Sequence, residues 1–332
     1  MSGLLLMSAF FSACTRSPQD IIHEGMKKFA EAPSYAFVGS VDADISSAAT
    51  EGLKNVKVAL KAKGAFEGKD PQNLNMNLQL DASTNADGIK TDGSFEGRLQ
   101  KDMVYFLISK LNAAEISGEN PFQNYLKKWY SVQIPPEFMD QLKEISAKSK
   151  DDTQLTPQQK QLKDLYEKTN FLMNPTLVGT DEVNGEKSSH FKADLDKKAI
   201  VDFSKKVAEI QGNSTTQTDV DQFQALLDKL AVATVELWID DTSGYLNQVQ
   251  VSLQSTQDAV EKGTVTLKAT MSDFGKPVTI EIPKDVEPFP VLDFLLGGVS
   301  SETMGPSEGS NKLPPQPVPT PISPKAKTGT QK

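Results

Sequence analysis

Few residues of this 332-residue chain could do chemistry: two histidines, His23 and His190, a single cysteine, Cys14, and a handful of closely spaced carboxylates. Neither histidine is accompanied by the serine or cysteine motif that nucleophilic acyl transfer requires, so both read as satisfied surface or core residues. Asp240-Asp241 could act as a carboxylate pair, but Asp-Asp-Thr-Ser-Gly has the composition of a hairpin turn. Asp42, Asp44 and Ser46 have calcium-like alternate spacing. They lack the mid-loop glycine and closing glutamate of an EF-hand, so a solvated strand end is the simpler reading. No GxGxxG, GxxxxGK(S/T) or HExxH pattern occurs. With so few soft ligands, neither a zinc site nor a disulfide framework can be assembled. No catalytic residue, no metal and no cofactor is expected.

Cys14 stands apart because of what precedes it. Residues 1–13, MSGLLLMSAFFSA, are apolar, end in small side chains and are too short to span a bilayer. Phe11-Ser12-Ala13-Cys14 resembles the lipobox of bacterial lipoproteins, with phenylalanine where leucine is usual. The resemblance implies that residues 1–13 are removed as a lipoprotein signal peptide and that Cys14 is lipidated. That would tether the chain to the extracytoplasmic face of a bacterial membrane. At ~0.8 kcal/mol per buried CH₂, two or three acyl chains are enough to hold it there.

Composition narrows the partners further. With 44 acidic against 35 basic residues the formal charge is -9, and the only arginines are Arg16 and Arg98. Phosphate recognition needs clustered cations, so no nucleic acid is expected as partner. A hydrophobic fraction of 38% allows a real core. Residues 299–332 are rich in Pro, Ser, Gly, Thr and Lys, offer little to bury and are expected to be a disordered tail. That Pro-rich tail is the expected docking point for any envelope protein partner.

Between the ends the dominant signal has period two. Val56, Val58, Leu60, Ala62, Gly64 and Phe66 share one face while Lys57, Lys61 and Lys63 take the other. Leu74 to Ala82 and Ser94 to Leu99 alternate in the same way, and Met103 to Ile108 is continuously apolar. The pattern returns at 248–253, 264–271 and, through Val278, Ile280 and Ile282, at 278–282. Turn residues punctuate it at Lys69-Asp70-Pro71, Asp87-Gly88, Asp92-Gly93, Asn184-Gly185, Ser243-Gly244 and Gly275-Lys276-Pro277. About ten such strands make an antiparallel sheet wet on one side, which must curl to hide its apolar face. Trp238, between Leu237 and Ile239, is expected to pack under a helix.

Helical stripes interrupt the strands. One is capped by Ser17-Pro18, another runs from Pro136 to Lys148, and a third opens at Thr156-Pro157. Asp196 caps a fourth, and Thr218 or Asp219 a fifth. Each has an apolar stripe on one side only, so each must lie on an apolar surface. The fold class is therefore α+β: a curved antiparallel sheet forming an unclosed β-barrel, with helices packed in its concave face.

Two stretches resemble hairpins of the lipoprotein-carrier and lipoprotein-localisation superfamily of bacterial envelopes, which includes LolA-like, LolB-like and mycobacterial LppX-like proteins. They are Gly179-Thr-Asp-Glu-Val-Asn-Gly-Glu-Lys-Ser-Ser-His190-Phe191 and Val235-Glu-Leu-Trp-Ile-Asp-Asp-Thr-Ser-Gly-Tyr245-Leu-Asn-Gln-Val-Gln-Val251. The resemblance covers roughly residues 20–285. It implies a half-barrel domain at 34–298, preceded by an anchor linker and first helix at 14–33. It also implies an apolar cavity for lipid or lipoprotein acyl chains, bound without bond chemistry. The lining expected here is Phe66, Met76, Leu78, Phe95, Phe203, Phe223 and Leu227. The alternative is an envelope scaffold of the same fold whose cavity those side chains fill. The family's soluble carriers hold their lid with an arginine inside the barrel. Arg98 is the one candidate here, and alternation puts it on the face opposite Phe95, Gly97 and Leu99.

Overall fold

The computed structural model describes residues 16–48, 54–68, 74–113, 123–140, 155–212, 216–257 and 259–290. Cys14, the tail from 299 and the turn at 69–71 lie outside the described residues, as does the helix expected over 136–148 beyond a helical turn at 136–140. Two antiparallel meanders build the structure. The first holds β1 (Ser34–Ser47), β2 (Asn55–Glu67), β3 (Asn75–Ala86), β4 (Ile89–Gln100), β5 (Met103–Ala113) and β6 (Trp129–Gln133). The second holds β7 (Leu172–Val183), β8 (Glu186–Leu195), β9 (Leu230–Asp240), β10 (Leu246–Ser255) and β11 (Glu261–Ser272). β1 pairs with β11 and fuses the two into one curved sheet. A short β12 (Val286–Pro288) adds to β6 in parallel, completing the order β12-β6-β5-β4-β3-β2-β1-β11-β10-β9-β8-β7. Among the described residues the two edges do not pair, so the barrel is unclosed.

Local chemistry sets the element ends. The Asp87-Gly88 and Asn184-Gly185 turns have positive φ at both residues, the geometry that two-residue hairpins require. Asp92-Gly93, expected to be a turn, instead lies inside β4, with Gly93 opposite Ala82 and Leu111. Alternation on both sides of it outweighs the turn propensity of the dipeptide. Helix α1 (Pro18–Glu31) starts at Ser17, whose hydroxyl accepts from Asp20 N–H. Thr156 opens α2 (Pro157–Lys168) with a reciprocal capping box through Gln159. Asp196 caps α3 (Lys197–Ile210). The cap of α4 (Gln217–Asp228) is Thr216, two residues earlier than Thr218, because Asp219 serves as the partner at the third helical position.

Register places the apolar alternate residues of all these strands on one face. The buried core occupies the half of that face made by the second meander, where Leu172, Phe191, Ala193, Val235, Leu237, Ile239, Leu246 and Met271 close around Ile22 of α1. Ile22 is 1% exposed, and burial of such a side chain stabilises by about 2–3 kcal/mol. Gly25 lets α1 approach closely, since a Cβ there would come within 2.5 Å of the Ile239 Cδ1. α2, α3 and α4 pack on one another, and α4 reaches β9.

The strand at 278–282 expected from alternation does not form. Residues 276–285 cross the polar face as a strap without a ladder of their own, bracketed by Pro277 and Pro283, which carry no N–H to donate. Thr279, Ile280 and Glu281 of the strap border one hollow with Ala36 and Ser272, a paired row of small side chains. The start of the strap is held by Ser34 Oγ donating to Lys276 O at 2.7 Å and by Val278 N–H donating to Glu67.

At the tip of the β3–β4 hairpin, Asp87 accepts from the backbone N–H groups of Lys54 and Asn55, both at 2.8 Å. Those bonds, that from Lys54 foremost, hold its carboxyl below the ordinary value of 3.8. The unfolded chain then binds more protons than the folded one between the two values. The contribution is complete above 3.8 and disappears as pH falls through the folded value. In urea titrations Asp87→Asn is expected to unfold at lower denaturant than the parent at neutral pH. The two midpoints should converge on acidification below the folded value of Asp87.

Candidate functional site

Across the first meander the apolar face is continuous and half-buried. Phe66 stands opposite Met76, Gly64 opposite Leu78, Met76 opposite Leu99, and Leu80 opposite Phe95. Small residues sit between the large ones. A Cβ on Gly64 would meet the Phe37 ring and the Asn77 carbonyl, and one on Gly97 would lie 2.9 Å from the Phe95 ring. The two rings therefore lie across their glycines, where any side chain would displace them. Aromatic groups mark both ends of this surface. Phe29 packs on Tyr35 at 5.1 Å, and Tyr35 on Phe66 at 5.8 Å. At the β6 edge, Phe289 closes on Phe106 at 5.0 Å and on Tyr130 at 5.4 Å. Tyr130, 3% exposed, is the deeply buried side chain of that end.

Of the expected lining residues, the structure brings Phe66, Met76, Leu78 and Phe95 onto one patch of three adjacent strands, β2, β3 and β4. Phe203 of α3 packs edge-on against Phe171 at 5.0 Å. Phe223 and Leu227 are half-buried on α4, which meets β9 rather than β2–β4. The resemblance alone named those helical residues; the strand residues were also legible from their alternation.

The opposite face carries the polar chemistry. Arg98 is indeed turned away from Phe95. Its guanidinium donates to the Glu281 carbonyl of the strap, lies 3.9 Å from Glu96 and sits over the Trp129 ring at 4.7 Å. It clamps the strap, not a lid. Trp238 also faces this side instead of packing under a helix. It stacks on His190 at 4.2 Å and donates its indole N–H to Asp181 at 2.8 Å. His190 Nδ1 faces Asp181 at 3.0 Å and Nε2 faces Glu236 at 2.9 Å. Both ring nitrogens are thus engaged, and neither is placed to take a proton from a substrate. Alternation fixes which face Trp238 takes; its partners, on β7 and β8, are too distant in sequence to have been inferred. Asp240 Oδ1 accepts from Thr242 N–H at 3.0 Å, as a turn aspartate does. Asp44 pairs with Lys57 at 2.7 Å, and Ser46 donates to Lys262 O, so this end of β1 is tied to its neighbours.

The architecture so defined is an unclosed, curved antiparallel barrel with helices on its apolar face. Among solved structures the chain is similar to LprF from Mycobacterium bovis, at 16% identity and a TM-score of 0.36, over 80% of this chain and 96% of that one. It is also similar to the Mycobacterium tuberculosis lipoprotein LppX, at 10% identity and a TM-score of 0.29, over 80% of this chain and 98% of that one. A β-barrel-like protein of unknown function from Brucella abortus aligns at 8% identity and a TM-score of 0.22, over 73% of this chain and 98% of that one. No protein-family model and no curated protein matches the chain.

Hydrogen bonds to a charged donor contribute roughly 1.5–3 kcal/mol, part of which is lost here to solvent exposure. Arg98→Met is expected to loosen the strap by about 1–3 kcal/mol. Trypsin cleavage after Lys284 should then quicken roughly five- to hundredfold under native conditions, while the core helix α1 stays protected. Unchanged cleavage would mean that the strap is held by its packing alone.

Proposed function

We propose that this chain is a membrane-anchored, extracytoplasmic bacterial lipoprotein that binds lipid or acylated molecules through the apolar face of its half-barrel, without catalysis. One observation carries the reading: Phe66, Met76, Leu78, Phe95 and their neighbours form a contiguous, half-buried apolar surface over β2–β5, while among the described residues the main buried cluster lies over the second meander. Burying methylenes against such a surface is favourable by about 0.8 kcal/mol each and needs no polar recognition. That agrees with the scarcity of chemical motifs in the sequence. The resemblance of Phe11–Cys14 to a lipobox supports the anchor, and the resemblance of the two hairpins supports the cavity. The second reading, a scaffold with a filled hollow, is favoured at one end, where Phe289, Tyr125, Tyr130 and Phe106 already pack on one another.

Native mass spectrometry of the purified full chain should reveal a co-purifying acyl lipid. Met76→Asp or Phe95→Asp should weaken uptake of a fluorescent fatty acid at least about tenfold, a loss of 1.4 kcal/mol or more. An empty parent protein that takes up no fatty acid would overturn the reading in favour of the scaffold. For the anchor, Cys14→Ala should move the protein from the membrane fraction to the soluble one, and unchanged fractionation would refute lipidation at Cys14.

A further inference from the structure

The polar face of β1–β4 is hollowed, and we propose that this hollow is a second binding site, one that takes a neutral saccharide. It encloses about 520 Å³ under the strap, within the usual range for small-ligand sites. Its floor is two register rows. Val38, Lys63, Gln79 and Glu96 form one, and Ala36, Asn77 and Arg98 contribute from the other. Thr279, Ile280 and Glu281 of the strap form a wall. Further along the same strands, four residues on from Gln79 to Ser83, lies a second hollow of about 500 Å³ lined by Ser83, Thr84, Thr91, Thr264 and Thr266. At about 3.4 Å per residue the two are roughly 14 Å apart, the reach of a short linear glycan rather than a single ring.

Three properties of the first hollow select the ligand. Its formal charges cancel, Lys63 and Arg98 against Glu96 and Glu281, and Arg98 is committed to the strap and to Trp129. Neither an anion nor a cation is favoured. Among the described residues the side chains of Lys63, Asn77 and Gln79 have no hydrogen-bond or ion-pair partner. The two amides each offer a donor and an acceptor, which is what sugar hydroxyls, themselves donors and acceptors, require. Val38, 62% exposed in an otherwise polar row, lines the hollow together with buried Ile280. They supply the apolar patch on which the C–H face of a pyranose can rest. An extended peptide fits less well. The backbones of β1–β4 are already paired on both sides, so a peptide cannot add as a strand and would leave its amides to side chains alone.

The test is saturation-transfer difference NMR on the full chain, with maltose and cellobiose as neutral probes and glucose 6-phosphate and triglycine as the contrasting ones. Transfer to the C–H protons of at least one disaccharide is expected at millimolar concentration. It should be lost in Gln79→Leu and in Val38→Glu, both surface changes whose circular dichroism should match the parent. Fatty-acid uptake on the other face should be retained in both variants, which separates this site from the lipid reading. Absence of transfer to either disaccharide would overturn the proposal, as would transfer that both variants leave unchanged. Stronger transfer to glucose 6-phosphate or to triglycine would also overturn it, reassigning the hollow to an anion or to a peptide.

Discussion

The ladder between β1 and β11 joins residues more than two hundred positions apart, from Ala36 opposite Ser272 to Ser47 opposite Glu261. Each meander could form locally, but neither has a complete surface by itself. Among the described residues the first has apolar side chains with little to cover them, and the second has the helix-covered core. Closing so long a loop costs entropy that only a long, well-registered ladder can offset. A slip of β1 by one residue would turn its Phe37 and Val41 to the polar face. Gly263 is part of what prevents it. A Cβ there would come within 2.5 Å of the Asp44 carbonyl, so the strands meet at this point only where the side chain is absent. Because the ladder holds, the apolar face runs unbroken across the seam, and on the polar side Ser272, Thr264 and Thr266 of β11 line the same hollows as β1–β4.

Much of this was legible in the sequence because alternation is a local signal with a global meaning. Phe66, Met76, Leu78 and Phe95 could be assigned to one face by parity alone, and Arg98 to the other. Helix starts were equally readable where the cap is a short polar side chain before a proline, as at Ser17 and Thr156. What failed was wherever a local preference met a stronger non-local one. Asp92-Gly93 has the residues of a turn, but Gly93 is held between Ala82 and Leu111 by ladders on both sides. Val278, Ile280 and Ile282 have the period of a strand, yet the neighbour they would need on the sheet is already β1, paired on both sides. The alternation there records a strap whose Ile280 is buried while Ile282, two residues on, stays exposed.

Trp238 and Arg98 make the same point from the polar side. A tryptophan between Leu237 and Ile239 invites a core assignment by its bulk. The indole N–H needs an acceptor when buried, and Asp181 on β7 provides one that the apolar face lacks. The ring's faces are then used by His190, whose nitrogens are engaged by two carboxylates. A buried indole and a half-buried imidazole satisfy one another in a place that hydrophobicity alone would not select. Arg98 behaves alike: its charge keeps it off the apolar face, and Trp129 and the Glu281 carbonyl give its planar head a platform and an acceptor.

The openness of the barrel also has a physical origin, in two edges that do not match. One edge is β7, twelve residues long, with Pro175 at its fourth position and register breaks between Met173 and Thr176 and between Leu177 and Gly179. Proline removes a donor and bulges twist the strand away, both of which disfavour further pairing. The other edge is β12, three residues running parallel to β6. A three-residue strand cannot zip along a twelve-residue one, and Phe289, just past it, donates its N–H to Ser131 O at 2.9 Å while its ring turns inward onto Phe106 and Tyr130. The strap that clothes the polar face therefore also blunts the sheet's margin, and the apolar surface of β2–β5 stays framed between two strands that cannot meet.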